Sequence, residues 1–195
     1  MFTAKDKYFL NDLQFDRVKL KHRHLFKSFE TFQADLKAFL IEDAVQSQDM
    51  CVSNTYLVFD QKNFRAWKQK KEELQLLGYI TVLNDSIRLD GQLKEQFREK
   101  GIIYKSLPAL KIGRLCVDDK YQGRGIGKTM LLWVIHRVVH LNQNTACRFI
   151  TLDAKRHHDS QKDSLHFYKK FNFKVLKTKE KNESEIFKQT SGSTP

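Results

Sequence analysis

The stretch Tyr121-Gln122-Gly123-Arg124-Gly125-Ile126-Gly127-Lys128-Thr129, YQGRGIGKT, decides how this chain is read. Three of the protein's eight glycines fall here within five residues. A strand pattern from Leu110 to Val117, just after Pro108, runs up to it. An apolar helix pattern, Met130 to Ile135 with Val138, Val139 and Leu141, leads away. Such a turn suits a bulky anion. Glycines let the backbone approach without Cβ clashes, and the N–H groups of the first helical turn point at the ligand along the helix dipole. Two nucleotide patterns fail by one glycine each. The ATP-type loop requires Gly at 122, where Gln122 stands. The dinucleotide pattern G-x-G-x-x-G meets Lys128 when counted from Gly123, and Met130 from Gly125. A third pattern, Gln/Arg-x-x-Gly-x-Gly/Ala, is met in full by residues 122–127.

The wider composition fits an anionic partner. The 195 residues carry a net charge of +12, which favours nucleic acid, an anionic surface or a polyanionic cofactor. A hydrophobic content of 41% with fifteen Phe is enough to build a buried core, so disorder is excluded as the dominant state. Cys51, Cys116 and Cys147 are scattered and odd in number, which argues against a disulfide framework or a cysteine zinc site. No apolar run approaches the ~20 residues of a membrane span. These features indicate a cytoplasmic protein.

Along the chain, Leu36, Phe39, Leu40 and Ala44 give one helix face over Asp35 to Gln48. Residues 54–59 and 77–83 read as strands, with a charged, exposed excursion at about 61–75 between them. Residues 91–106 are polar and partly helical. The helix after the glycine loop carries apolar residues on more than one face, which predicts burial against a sheet. A strand over Phe149 to Leu152, a short helix around Leu165–Phe171, a strand over Phe173 to Leu176 and a last strand at Glu185-Ile186-Phe187 complete the pattern. One domain is expected over residues 1–190, with a frayed tail at 191–195. Arg17, Lys19, Lys21 and Arg23 alternate, so in an extended segment they would share one face and could meet an RNA backbone. Their alternative use is to keep a sheet edge unpaired.

The 122–127 pattern in its strand–turn–helix setting resembles the acetyl-CoA pyrophosphate loop of the GNAT N-acetyltransferase superfamily. Ala109 to Asp118, ALKIGRLCVD, resembles the strand along the pantetheine arm. Phe167-Tyr168-Lys169-Lys170-Phe171-Asn172-Phe173 resembles the helix-to-strand signature FYekfGF. Asn172 takes the place of the family glycine, and Asn too tolerates a left-handed conformation. The stretch between Ala154 and Phe167 is longer than usual for the family. Phe29-Glu30-Thr31-Phe32, followed by Asp35-Leu36 and Phe39-Leu40, is similar to the opening FdCGnxxLnxFL of one branch, with Thr31 and Phe32 in place of its Cys and Gly. Gly78-Tyr79 and KIGRL also look like that branch. It includes toxins of bacterial toxin–antitoxin pairs that acetylate the amino group of aminoacyl-tRNA. The resemblance covers roughly residues 29–176.

It implies an α/β (α+β) GNAT acyltransferase fold: a central mixed, mostly antiparallel twisted sheet flanked by helices. It implies acetyl-CoA as co-substrate with no metal, and an acetyl acceptor that is a primary amine. The leading acceptor is aminoacyl-tRNA. The alternatives are a protein, polyamine or other small amine, or a non-catalytic basic nucleic-acid-binding domain on the same fold. A ribbon-helix-helix antitoxin and a second copy of the chain are the implied protein partners. Leu115, Cys116, Val117, Gln122, Gly123, Arg124, Gly125, Ile126, Gly127 and Lys128 would hold acetyl-CoA. A backbone N–H near Val117 would polarise the thioester carbonyl. Tyr168 would be the general acid toward the leaving thiolate. A phenol of ordinary pKa about 10 is protonated at neutral pH and can donate. Lys155 and Arg156, with Arg17, Lys19, Lys21 and Arg23, would touch the acceptor. No general base stands out, which leans toward an acceptor amine of low pKa; Asp118, Asp119 and Asp153, near strand ends, could serve. His136 and His140 stand four apart on the long helix without the intervening Glu of a zinc motif, which favours a plain helix face.

Overall fold

The computed structural model describes residues 7–155, 164–178 and 183–189. Seven strands are present there: β1 (Leu13–Arg17), β2 (Asn54–Asp60), β3 (Leu76–Arg88), β4 (Ser106–Val117), β5 (Phe149–Lys155), β6 (Lys174–Thr178) and β7 (Glu183–Gln189). The helices are α1 (Arg23–Phe26), α2 (Ala34–Glu42), α3 (Ala44–Asp49), α4 (Gln61–Lys68), α5 (Gly91–Arg98), α6 (Ile126–Leu141) and α7 (Ser164–Lys169). Arg156, His157, His158 and the 191–195 tail lie outside the described residues. The chain divides into two compact units. One is the segment up to Leu83 with Gly113–His136; the other is Asn84–Ile112 with the described residues from Arg137 on.

In the first unit the strands follow the order β1-β2-β3-β4. β1 and β2 are antiparallel from Leu13↔Asp60 to Arg17↔Tyr56. β2 and β3 are antiparallel too, with a bulge between Val58 and Phe59. Phe26, Phe29, Leu40, Leu57 and Tyr79 are at most 2% exposed and form one apolar cluster with Cys116. Each such large side chain contributes about 1.5–3 kcal/mol when fully buried. The Tyr79 hydroxyl avoids a desolvation loss by donating to the Leu36 carbonyl at 2.7 Å. Gly78 is required by this packing: a Cβ there would stand 2.7 Å from the Cys116 carbonyl oxygen.

In the second unit the order is β3-β4-β5-β7-β6. β4 and β5 pair in parallel from Ala109↔Phe149 to Ile112↔Leu152, while β7 is antiparallel to both β5 and β6. The sheet is therefore mixed and mostly antiparallel, as expected. Its core here is Ile87, Leu89, Phe97, Leu107, Ala109 and Phe149.

Several expectations need correction. The helix over Asp35 to Gln48 is two helices, α2 and α3, meeting at Asp43. The 61–75 segment is not a plain exposed excursion. Asp60 accepts from the Lys62 and Asn63 N–H groups and starts α4, which buries Phe64. The strand over 77–83 continues through Asn84-Asp85-Ser86 to Arg88. α6 is less enclosed than its composition predicts. Ile126, Met130, Leu131, Val134 and Val138 are buried, whereas Leu132 is 40% and Val139 54% exposed, so one face meets solvent.

Candidate active site

The glycine loop is built from the end of β4 outward. After Val117 the chain is pinned by Asp118, whose N–H donates to the Leu77 carbonyl at 3.0 Å. The Asp118 carboxylate, only 2% exposed, accepts from the Glu30 N–H at 3.0 Å and the Lys120 N–H at 2.9 Å. It is thus a cap for the turn at Asp119–Tyr121. Gln122 turns its amide back, donating to Asp119 at 2.6 Å and to the Val117 carbonyl at 3.4 Å. Tyr121 donates its hydroxyl to Gln75 at 2.9 Å.

Gly123 and Gly125 then take φ of +76° and +79°, the left-handed region that glycine occupies at no steric cost. The first i→i−4 bond of α6 runs from the Thr129 N–H to the Gly125 carbonyl at 3.0 Å. The N–H groups of Ile126, Gly127 and Lys128 precede that ladder and lie in the helix's first turn. Lys128 is exposed beside them. The donors, the dipole and the cation all suit a pyrophosphate.

The loop is also held from a place the sequence does not advertise. The Tyr8 N–H donates to the Arg124 carbonyl at 2.9 Å, and the Thr129 hydroxyl lies 3.0 Å from the Tyr8 carbonyl. The segment before β1 is therefore a strap across the loop. Thr129, 3% exposed, sits beneath it. In the sequence Thr129 is only the last letter of a failed ATP-type pattern, and nothing marks Tyr8.

Along β4 the side chains alternate. Cys116 points into the core cluster, and burial pushes its thiol up to about 12. Its part in holding a cofactor would fall to the backbone. Leu115 and Val117 are half-buried. Arg114 lays its guanidinium 3.9 Å from the Phe39 ring centroid.

In the second unit, Tyr168 on α7 is 7% exposed. Its ring meets Phe167 and Phe173 edge-on, with centroids 5.1 and 5.8 Å apart. Phe171 packs on Phe167 instead. Asn172 has φ +62°, the left-handed conformation expected where the family has glycine. Lys155 is exposed at the end of β5. Asp153 is 2.7 Å from Lys111 Nζ. Asp118, Asp119 and Asp153 thus all have structural partners.

Arg17, Lys19, Lys21 and Arg23 do not form one strand face. Only Arg17 belongs to β1, and Leu20–His22 form a 3-10 turn, with Lys19 as its N-cap, leading into α1. The reason is burial. Val18, His22, Leu25 and Phe26 are all at most 5% exposed, a spacing no extended segment can turn inward together. The four cations remain exposed around the turn.

Residues 73–175 match the acetyltransferase (GNAT) domain family. This chain belongs to the GNAT acetyltransferases. Solved structures of similar fold extend over nearly all of it. A tyrosine-to-phenylalanine mutant of KacT has a TM-score of 0.71 at 19% identity, covering 92% of this chain and 95% of that one. AtaT complexed with acetyl-methionyl-tRNAfMet has a TM-score of 0.71 at 20% identity, with the same coverage. An AtaT mutant toxin bound to the C-terminus of the antitoxin AtaR and to acetyl-CoA has a TM-score of 0.65 at 19% identity, covering 92% and 94%. Among the described residues of this acetyltransferase, no helix is long and apolar enough to cross a membrane.

Proposed function

We propose that this acetyltransferase moves the acetyl group of acetyl-CoA to the α-amino group of aminoacyl-tRNA in the cytosol. The observation that carries the cofactor assignment is the strand–turn–helix with two left-handed glycines and N–H donors in its first helical turn. The acceptor assignment is supported by the likeness in fold to AtaT complexed with acetyl-methionyl-tRNAfMet, and by the net charge of +12.

Acetyl-CoA supplies an activated acetyl thioester. Gln122 to Lys128 would hold its pyrophosphate, with Leu115, Cys116 and Val117 along the pantetheine arm. A Val117 backbone N–H would donate to the carbonyl oxygen, where charge develops as the amine attacks. The attacking nitrogen would release a proton to water as the amide forms, and Tyr168 would give its proton to the departing sulfur as the C–S bond breaks. An α-amine has an ordinary pKa of about 8, so a useful fraction arrives neutral at pH 7. An amine that needs no strong base suits a chain in which Asp118, Asp119 and Asp153 are each engaged, by backbone N–H groups, by the Gln122 amide and by Lys111. Lys155 and Arg156, with Arg17, Lys19, Lys21 and Arg23, would meet the acceptor's phosphates. A small ribbon-helix-helix antitoxin and a homodimer are part of the same reading.

Labelled acetyl-CoA offered with charged tRNA, free amino acids, spermidine and a basic protein tests it. Acetyl transfer to charged tRNA, with strong inhibition by salt, is the expected result. Efficient, salt-insensitive transfer to a small amine, with none to charged tRNA, would overturn the acceptor.

A further inference from the structure

The chain's positive charge is concentrated. Residues 17–27 contain Arg17, Lys19, Lys21, Arg23 and Lys27; residues 61–71 contain Lys62, Arg65, Lys68, Lys70 and Lys71. Neither segment has an Asp or Glu. They therefore carry ten of the net +12, and the rest of the chain is close to balanced, with 25 Lys and Arg against 23 Asp and Glu. All ten cations are exposed.

The fold joins the two segments within the first unit. Trp67 of α4 packs against the apolar cluster that buries Leu25 and Phe26 of α1 and Phe64 of α4. Lys21 Nζ stands 6.0 Å from the Trp67 ring centroid. Lys68 Nζ lies 4.8 Å from the Phe64 ring centroid. The shared core therefore places two cationic runs side by side, against their mutual repulsion. Like charges assembled this way weaken the fold unless a polyanion meets them. Both segments precede the family-matched residues 73–175, so the family match does not account for them.

We propose that α4 and the 3-10 turn with α1 form one composite surface that docks the phosphate backbone of RNA. Lys62, Arg65 and Lys68 on α4 add contacts to Arg17, Lys19, Lys21 and Arg23. The inference rests on the tRNA reading for its natural ligand, while its charge argument stands without it. Phosphate contacts position a nucleic acid without reading its sequence, so this surface sets affinity and register and leaves the choice of amine elsewhere.

The test is fluorescence anisotropy of the full chain with an uncharged tRNA transcript, titrated with salt. The variant K62Q/R65Q/K68Q is compared with K94Q/K100Q/K105Q, which removes the same charge from the second unit. Each lost phosphate contact lowers the slope of log affinity against log salt by roughly 0.7–0.9. The α4 variant should lose roughly two to three units of slope and roughly tenfold or more in affinity at moderate salt. The second-unit variant should keep the wild-type slope. Unchanged acetyl-CoA affinity in both shows that the proteins are folded. Equal losses in the two variants, or no loss in the α4 variant, would overturn the surface. So would an α4-dependent affinity for phosphatidylserine vesicles without one for the transcript. If the wild type binds the transcript through α4 but acetylates only small amines, the surface stands and the acceptor assignment falls.

Discussion

Tyr168 lies between the rings of Phe167 and Phe173, so removing its hydroxyl leaves the aromatic packing in place. Tyr168→Phe should therefore lower turnover about a hundredfold while changing acetyl-CoA affinity less than twofold. Stopped-flow thiol release and calorimetry measure the two; unchanged turnover would remove the general-acid role. Asn172 offers a test that reads only the backbone. Its φ of +62° costs a β-carbon-bearing residue roughly 1 kcal/mol, less when the side chain is Asn. Asn172→Ala should lower the urea midpoint, and Asn172→Gly should hold or raise it. At this scale the sequence was informative wherever a residue type is forced by geometry, as at Gly123, Gly125 and Asn172. It left the choice open where one type has two uses. Asp118 could serve as a base by its position, and its carboxylate accepts from the N–H groups of Glu30 and Lys120.

The loop between β4 and α6 is held by its neighbours as well as by its own glycines. Thr129→Val removes the hydroxyl beneath the Tyr8 carbonyl and should weaken acetyl-CoA binding roughly three- to tenfold, with Thr129→Ser restoring it. Calorimetric titration checks this, and equal affinity in wild type and Thr129→Val would count against the strap. β3 and β4 are packed too closely for a side chain at residue 78. Gly78→Ala brings its Cβ onto the Cys116 carbonyl, and overpacking of this kind costs about 1–3 kcal/mol, visible as a lower melting temperature. Strands and helices with clear periodicity were legible: β2, β4, β5 and α6 lie close to where their apolar patterns put them. β1 was hidden because alternating cations on Arg17, Lys19 and Lys21 imitate a longer strand than the buried residues allow. α4 was hidden because only two aromatics, Phe64 and Trp67, anchor an otherwise mostly polar helix to the core.

Stability across pH belongs to the whole molecule, and its limits come from groups buried in their neutral forms. His22 is held below its ordinary value of 6.5 by burial, partly offset by Asp16 at 3.8 Å. Folded, it binds fewer protons than unfolded, so stability is full above pH 6.5 and falls as the pH drops below it. Cys116 is pushed from 9.0 to about 12 by burial, and Tyr79 is raised by the same cause. Folded, the thiol keeps a proton that the unfolded chain releases. Its contribution is therefore full below pH 9 and is lost as the pH climbs toward 12. Urea denaturation from pH 5 to 10.5 should show a plateau between about 6.5 and 9 with a decline on each side. His22→Gln should remove the acid-side decline it causes. The family and the mixed sheet were legible at this scale because the glycine loop and the FYKKFNF segment carry local geometry that few other folds need. The joining of residues 17–27 with 61–71 was not, because a contact through a shared core leaves no trace in linear order.

The strap from Tyr8 to Arg124 and Thr129 has a reciprocal side. If holding the segment before β1 in place tightens the loop around a ligand, then a ligand in the loop must tighten that segment by the same free energy. Acetyl-CoA should therefore shield the start of the chain from trypsin, with cleavage after Lys7 slowing as the cofactor is added. A partner protein fused directly ahead of Lys7 would act as an unintended effector of cofactor affinity, and one fused at the other end would not.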